Sequence, residues 1–208
     1  MPPLLPFLLF AVVGALVFWV GAAARRRMQR NLQKLAEDLG LEFSPGTLLG
    51  SPPAVEGLHR GRKMEIFTYT TGGGKSRTTW AALEVELATP GTLTFKLRKQ
   101  GLGTKVMELF GTSEITVGDA AFDAAWFVQT SAPELLPLAL IPELREKLTA
   151  AQRTGANGTY ESDGARIKYV ERGSFSTAGS VDRFRDLAEI IGDLADAVEV
   201  VGAQKSGA

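Results

Sequence analysis

AVEGLHRGRKMEIFTYTTGGGKSRTTWAALEVELATPGTLTFKLR, residues Ala54–Arg98, decides the fold. Apolar and polar residues alternate along it, the period of strands with one buried face. Turn signals cut it into pieces. His59-Arg60-Gly61 separates Ala54–Leu58 from Lys63–Thr71 as a hairpin turn, and Gly72-Gly73-Gly74 separates Lys63–Thr71 from Thr78–Leu87. Pro90-Gly91 precedes Thr92–Arg98, where Leu93, Phe95 and Leu97 alternate with Thr94, Lys96 and Arg98. That last piece reads as a half-buried strand with a basic outer face. Consecutive strands joined by tight turns predict an antiparallel meander.

Moving toward the C-terminus, the pattern becomes mixed. Gly103–Phe110 reads as a short helix and Glu114–Val117 as extended chain. Gly118-Asp119 opens a short helical segment that includes Asp123, with Asp119 in the capping position. Trp126–Gln129 reads as a strand, Ser131 as the cap of a helix starting at Pro133, and Pro142 to about Gln152 as a second helix. Gly158–Glu161 and Ala165–Glu171 flank Asp163-Gly164, a hairpin turn. Finally Phe184, Leu187, Ile191, Leu194, Val198 and Val201 recur at spacings of three and four, with Asp186, Glu189, Asp193 and Asp196 between them. This is an amphipathic helix whose apolar stripe covers a sheet. The predicted class is α+β: a mainly antiparallel sheet with packed helices, closed by a C-terminal amphipathic helix. The two β-rich stretches leave open a division into two subdomains.

Toward the N-terminus, Met1 to Ala24 contains no charged side chain. Leu4–Ala24 would rise about 32 Å as a helix, enough for a hydrocarbon core of ~30 Å. Arg25, Arg26, Arg27, Arg30 and Lys34 follow at once. Cations on this flank predict a single-pass anchor in the inner (cell) membrane, with the N-terminus out and the large C-terminal part cytoplasmic. These five cations are the predicted contact with anionic head groups. A cleaved signal peptide is the competing reading, but its basic residues would precede a shorter apolar core. Met28, Leu32, Leu35 and Leu39 continue with a helical period up to Gly40, a C-terminal stop. The resulting organisation is a transmembrane anchor at 1–24, a basic juxtamembrane helix at 25–40, an α+β cytoplasmic domain at 41–201 and a flexible tail at 202–208.

Composition excludes several chemistries. None of the 208 residues is cysteine and only His59 is histidine. A disulfide scaffold, a thiolate zinc site, a cysteine nucleophile and a multi-histidine metal centre are all out of reach. Gly72-Gly73-Gly74-Lys75-Ser76 ends like a phosphate-binding loop, but Tyr69 stands where the motif needs glycine, and a strand rather than a helix follows. His59, between Leu58 and Arg60, reads as a solvated turn residue. Asp119 and Asp123, four apart, read as a cap and a structural acid; as a catalytic or cation-binding pair they lack further ligands. Arg60, Arg62, Lys63, Lys75, Arg77, Lys96, Arg98, Lys99 and Lys105 outnumber the acids between Glu56 and Lys105. They are expected to pair with the acidic last helix or meet solvent, with lipid contact the next reading; no nucleic acid is expected.

GDAAFDAAWFVQTSAPELLPLALIPELREKL, residues 118–148, resembles a pattern in uncharacterised bacterial single-pass membrane proteins. There a Gly-Asp and a Phe-Asp precede a short strand, an apolar segment and a "Pro-Glu-Leu-Arg"-like helix. The similarity spans roughly residues 30–200 and implies a bacterial source, an architecture and membrane attachment, not a mechanism. The functional expectation is a membrane-anchored cytoplasmic binding or scaffold module without catalysis or cofactor. The alternatives are a membrane-surface enzyme using Asp119, Asp123 or His59, and a subunit of an envelope assembly. Expected partners are the bilayer and a membrane protein or a second copy, the latter through the small residues Ala11, Gly14, Ala15, Gly21 and Ala22.

Overall fold

The computed structural model describes residues 4–47, 51–101 and 113–206, with side chains within 12–47, 51–101 and 114–203. The predicted helix at Gly103–Phe110, and Lys105 with it, lie outside the described residues. The first element, α1 (Leu4–Leu39), is one unbroken helix of 36 residues, about 54 Å long. It stops at Gly40, whose φ of +67° turns the chain while the Leu41 amide bonds back to Ala36 O at 2.8 Å. Among the described residues no helix is long and apolar enough to cross a membrane. Among the described residues nine strands and three short α-helices follow before a second long helix.

Those strands are β1 (Glu42–Ser44), β2 (Ala54–His59), β3 (Arg62–Thr71), β4 (Thr78–Glu86), β5 (Phe95–Lys99) and β6 (Ser113–Ile115). Then come α2 (Ala120–Ala125), β7 (Trp126–Thr130), α3 (Leu136–Ala139), α4 (Pro142–Arg153), β8 (Thr159–Ser162), β9 (Arg166–Arg172) and α5 (Ala178–Ser206). All described strands join one antiparallel sheet in the order β1-β2-β3-β4-β9-β8-β5-β7-β6. The β-rich stretches therefore share a single sheet, and the two-subdomain alternative falls away. The last helix runs through Gly202 to Ser206, beyond the stretch whose apolar stripe marked it in the sequence.

Register explains why the sheet is one layer of a two-layer core. Val55, Ile66, Leu83, Tyr169, Tyr160, Leu97 and Val128 face one another strand by strand across β2, β3, β4, β9, β8, β5 and β7. All seven are buried. The C-terminal part of α1, through Leu32, Leu35 and Ala36, packs on this face together with α5, through Phe184, Leu187, Ile191 and Leu194. Aromatic rings run in a chain through the same layer: Trp126 to Tyr160 to Tyr169 to Phe184, with centroids 5.8, 4.7 and 5.8 Å apart. The Tyr169 hydroxyl accepts from the Gly158 amide at 3.0 Å and donates to Glu171 at 2.7 Å, and Glu171 is clamped by Arg183 of α5. This phenol-carboxylate-guanidinium chain thus ties β9 to the start of α5. Burial, followed by the Glu171 charge, pushes the Tyr169 phenol well above its ordinary value.

The meander holds for β1 to β4 but not for β5. The β8–β9 hairpin inserts between β4 and β5, because β9 matches β4 over seven residue pairs and completes the buried row. The connection leaving β4 crosses the Asp163-Gly164 turn, with Leu87 N bonded to Ala165 O and Gly91 N to Gly164 O at 2.8 and 2.7 Å. Gly164 has φ +90°, and a Cβ there would stand 2.3 Å from Gly91 O. Ser131 caps no helix. Its hydroxyl accepts from the Thr94 amide and lies within reach of Thr92 O, so it staples the entry to β5, and the helix begins later, at Leu136. The crossing leaves no room for a side chain at this glycine: Gly164→Ala is expected to cost about 2–4 kcal/mol. Urea unfolding measures it, and a loss below about 0.5 kcal/mol would contradict the crossing geometry.

Candidate functional site

At the N-terminal side of the domain, helix α1 changes character along its length. Every described residue from Val12 to Gly21 is exposed, including Leu16, Val17, Phe18 at 79% and Trp19 at 69%. Three turns of helix are therefore apolar on all sides, with no part of the domain against them. The predicted basic residues come next. Arg25 is half-buried and donates to Thr47 O at 3.1 Å, while Arg26, Arg27 and Arg30 are exposed. Lys34 lies 4.0 Å from Asp38, one turn on. Gln29 donates to Pro45 O at 3.1 Å, which holds the chain after β1 against the helix. Between them lies a groove of about 510 Å³ lined by Arg26, Gln29, Arg30, Gln33, Phe43 and Pro45.

The second charged region joins the β2–β3 turn to α5. Arg60 holds φ +52°, unusual for a side chain other than glycine, ahead of Gly61 at +78°. Its guanidinium reaches Asp193 at 2.8 Å and Asp196 at 2.6 Å. Gly192 leaves the room: a Cβ there would lie 2.7 Å from Arg60 Nη1. Arg62, nearly buried, contacts Asp196 at 2.7 Å and Glu199 at 2.6 Å, and Lys147 of α4 reaches Asp193. Hydrogen bonding to Asp193 raises the Arg60 guanidinium above its ordinary value, and hydrogen bonding to Glu199 does the same for Arg62. Burial pushes the Asp193 carboxyl up, but hydrogen bonds from Lys147 and Arg60 outweigh it and hold the group below the usual range. Glu199 is likewise lowered, by Arg62 and the Ala88 amide against burial. The expected pairing of the hairpin cations with the acidic helix is present at Arg60 and Arg62. On the open face of the sheet Lys96 meets Glu161 at 3.6 Å, Lys168 meets Glu84 at 3.8 Å, and Arg98 stacks on Phe127 at 4.3 Å.

The three catalytic candidates go to different places. His59 is not a solvated turn residue: its side chain is 12% exposed, with Nε2 3.3 Å from Glu189 of α5, because the hairpin folds onto that helix. Asp119 caps α2, accepting from the Ala121 and Phe122 amides at 3.1 Å, and lies 3.5 Å from Arg145 of α4. Asp123 accepts from the Val117 amide at 2.8 Å and so ties the loop after β6 to α2. The structure thus brings Asp119 and Asp123 together as supports of one short helix, and places His59 against α5. Among the described residues no group of three or more His, Cys, Asp or Glu could hold a metal ion. Gly74–Ser76 is one turn of 3₁₀ helix within the exposed β3–β4 loop, without the helix a phosphate loop requires.

Two features escape a reading of local pattern. One is the groove beside Arg26 and Arg30, whose other wall is β1; the spacing of the two arginines, one turn apart and off the Leu32–Leu35–Leu39 stripe, was its available signal. The other is an apolar groove of about 460 Å³ between α4 and α5, where Leu138, Ile141 and Val200 stay exposed. No protein-family profile and no curated relative matches the chain. The architecture is that of a nine-stranded antiparallel sheet with one helix-covered face, entered by a long N-terminal helix. It is similar to the crystal structure of the mycobacterial trehalose monomycolate transport factor A. The TM-score is 0.58 at 12% identity, over 84% of this chain and 96% of that one, a likeness of fold alone.

The lowered carboxylates give the domain an acid limit. Stability from Asp193 and Glu199 is full above their unfolded values near pH 4 and is lost as pH falls through the lower folded values. Glu199→Gln should therefore lower stability near neutral pH by about 1–3 kcal/mol and flatten its decline below about pH 4. Denaturant midpoints across that range check both; an unchanged acid slope would show that Glu199 does not carry it.

Proposed function

We propose that this chain is a membrane-tethered, non-catalytic binding module that serves the movement of lipid at the bilayer. In this reading the uncharged run Leu4–Ala24, whose side chains before Val12 lie outside those described, crosses the membrane once as the first part of α1, with its N-terminus out and the α+β domain on the cytoplasmic side. The observation that carries it is the exposed stretch Val12–Gly21, apolar on every side and continuous in one helix with the core residues Leu32, Leu35 and Ala36. A protein surface does not leave three such turns to water, and the arginines at their end fit a head-group layer. Use of Asp119 and Asp123 as structural hydrogen-bond acceptors supports binding over catalysis. The fold shared with a trehalose monomycolate transport factor supports the connection to lipid transport. A subunit role in an envelope assembly is a second reading, favoured by the exposed Leu138, Ile141 and Val200 beside the α4–α5 groove.

Expression of the full chain should leave it in the membrane fraction after carbonate washing, and a reporter fused after Ala208 should be active only inside the cell. Removing residues 1–24 should release a folded domain. A washed-off full chain, or a reporter active outside, would overturn the tether or its orientation. Export of acyl-labelled lipid should fall in cells lacking the chain; unaltered export would remove the transport half of the reading.

A further inference from the structure

We infer that the groove between α1 and β1 is a site for the phosphate of an anionic lipid head group, held by Arg26 and Arg30. The inference deepens the tether reading and rests on it. Arg26 and Arg30 are one helical turn apart, on a face shared with Gln29 and Gln33 and turned away from the buried Leu32–Leu35 stripe. Both guanidiniums are exposed; Arg30 Nε donates to Arg26 O at 3.4 Å, which leaves its two terminal nitrogens outward, and among the described residues neither arginine forms an ion pair with a carboxylate. The other basic residues of this segment are engaged differently: Arg25 is spent on Thr47 O and Lys34 is near Asp38. The opposite wall is apolar, from Phe43 and Pro45, and it is fixed in place by the Gln29–Pro45 hydrogen bond. Paired planar guanidiniums suit phosphate oxygens, and an apolar wall suits the glycerol end of a lipid.

Height along the helix supplies the second argument. At 1.5 Å per residue, Arg26 lies about 3 Å and Arg30 about 9 Å beyond Ala24, the last residue of the uncharged run. A head-group layer is roughly 5–7 Å deep on each side of the hydrocarbon. Arg26 therefore sits within the head-group layer, and the long Arg30 side chain, leaning toward the N-terminal end of α1, reaches back to the outer edge of that layer. Arg27 stands about a quarter turn around the helix from the groove and faces other lipid, and Lys34, equally off the groove, lies about 15 Å beyond Ala24, past the head-group layer.

The test uses the full chain reconstituted in phosphatidylcholine vesicles that contain a minor fraction of spin-labelled phosphatidylglycerol. Flotation with the vesicles is read first. A chain that floats upholds the tether, and one that does not overturns the tether and this site together. In the floating chain, the motionally restricted phosphatidylglycerol should exceed restricted phosphatidylcholine. The double variant Arg26→Gln/Arg30→Gln should reduce that preference on the order of tenfold, while Arg27→Gln/Lys34→Gln, with the same charge removed, should leave most of it. An equal loss in both doubles, or no preference in the floating wild type, would overturn the site and leave the tether standing. Displacement by millimolar inorganic phosphate would assign the groove to free phosphate instead of lipid.

Discussion

The structure depends on one row of side chains. Val55, Ile66, Leu83, Tyr169, Tyr160, Leu97 and Val128 stand opposite one another on seven neighbouring strands and are all buried. Several of these strands are short and bury only one or two residues. A slip of one residue would expose that strand's member of the row and, in β2, β3, β4, β9, β8 and β5, can turn a charged neighbour inward. Glu65, Glu84, Lys168, Glu161 and Lys96 form the corresponding row on the other face. The apolar row and the charged row together fix the sheet, and the sheet fixes where the helices lie.

This arrangement explains how the surface features arise. α5 lies over the row and carries its acids to the edge of the sheet, where the tight β2–β3 turn brings Arg60 and Arg62 to meet them. The positive φ of Arg60 is an unfavourable conformation of about 1 kcal/mol, and the residue forms ion pairs with Asp193 and Asp196 that offset it. At the other side, β1 pairs with β2 and leaves Phe43 and Pro45 beside α1, which turns an ordinary polar helix face into a groove. The charged clusters are thus consequences of strand pairing, not independent motifs.

Much of this was legible from local pattern. Alternation in Lys63–Thr71 and Thr78–Leu87 is caused by one-sided burial, so it survives into the structure as β3 and β4. Asp119 announces the start of α2 because the amides of Ala121 and Phe122 need an acceptor. The apolar stripe from Phe184 to Val201 is the buried face of α5. What stayed hidden was decided between distant residues. The placement of β9 beside β4 depends on Gly91 and Gly164 passing at backbone distance, and two glycines 73 positions apart leave no local signature. His59 looks like a turn residue in sequence, and only the fold of that turn onto α5 buries it. The groove at Arg26 and Arg30 needed a three-residue strand as its second wall.

One property of α1 reaches beyond packing. From Ala22 to Leu39 the helix contains neither glycine nor proline, and its far end is locked into the core by Leu32, Leu35 and Ala36 and by Asn31, which donates to Phe175 O at 2.7 Å. There is no hinge between the greasy end and the sheet. Whatever grips the first turns therefore dictates the attitude of the entire domain, so that a change in lean at one end arrives at the other as a rotation of the sheet instead of being absorbed on the way.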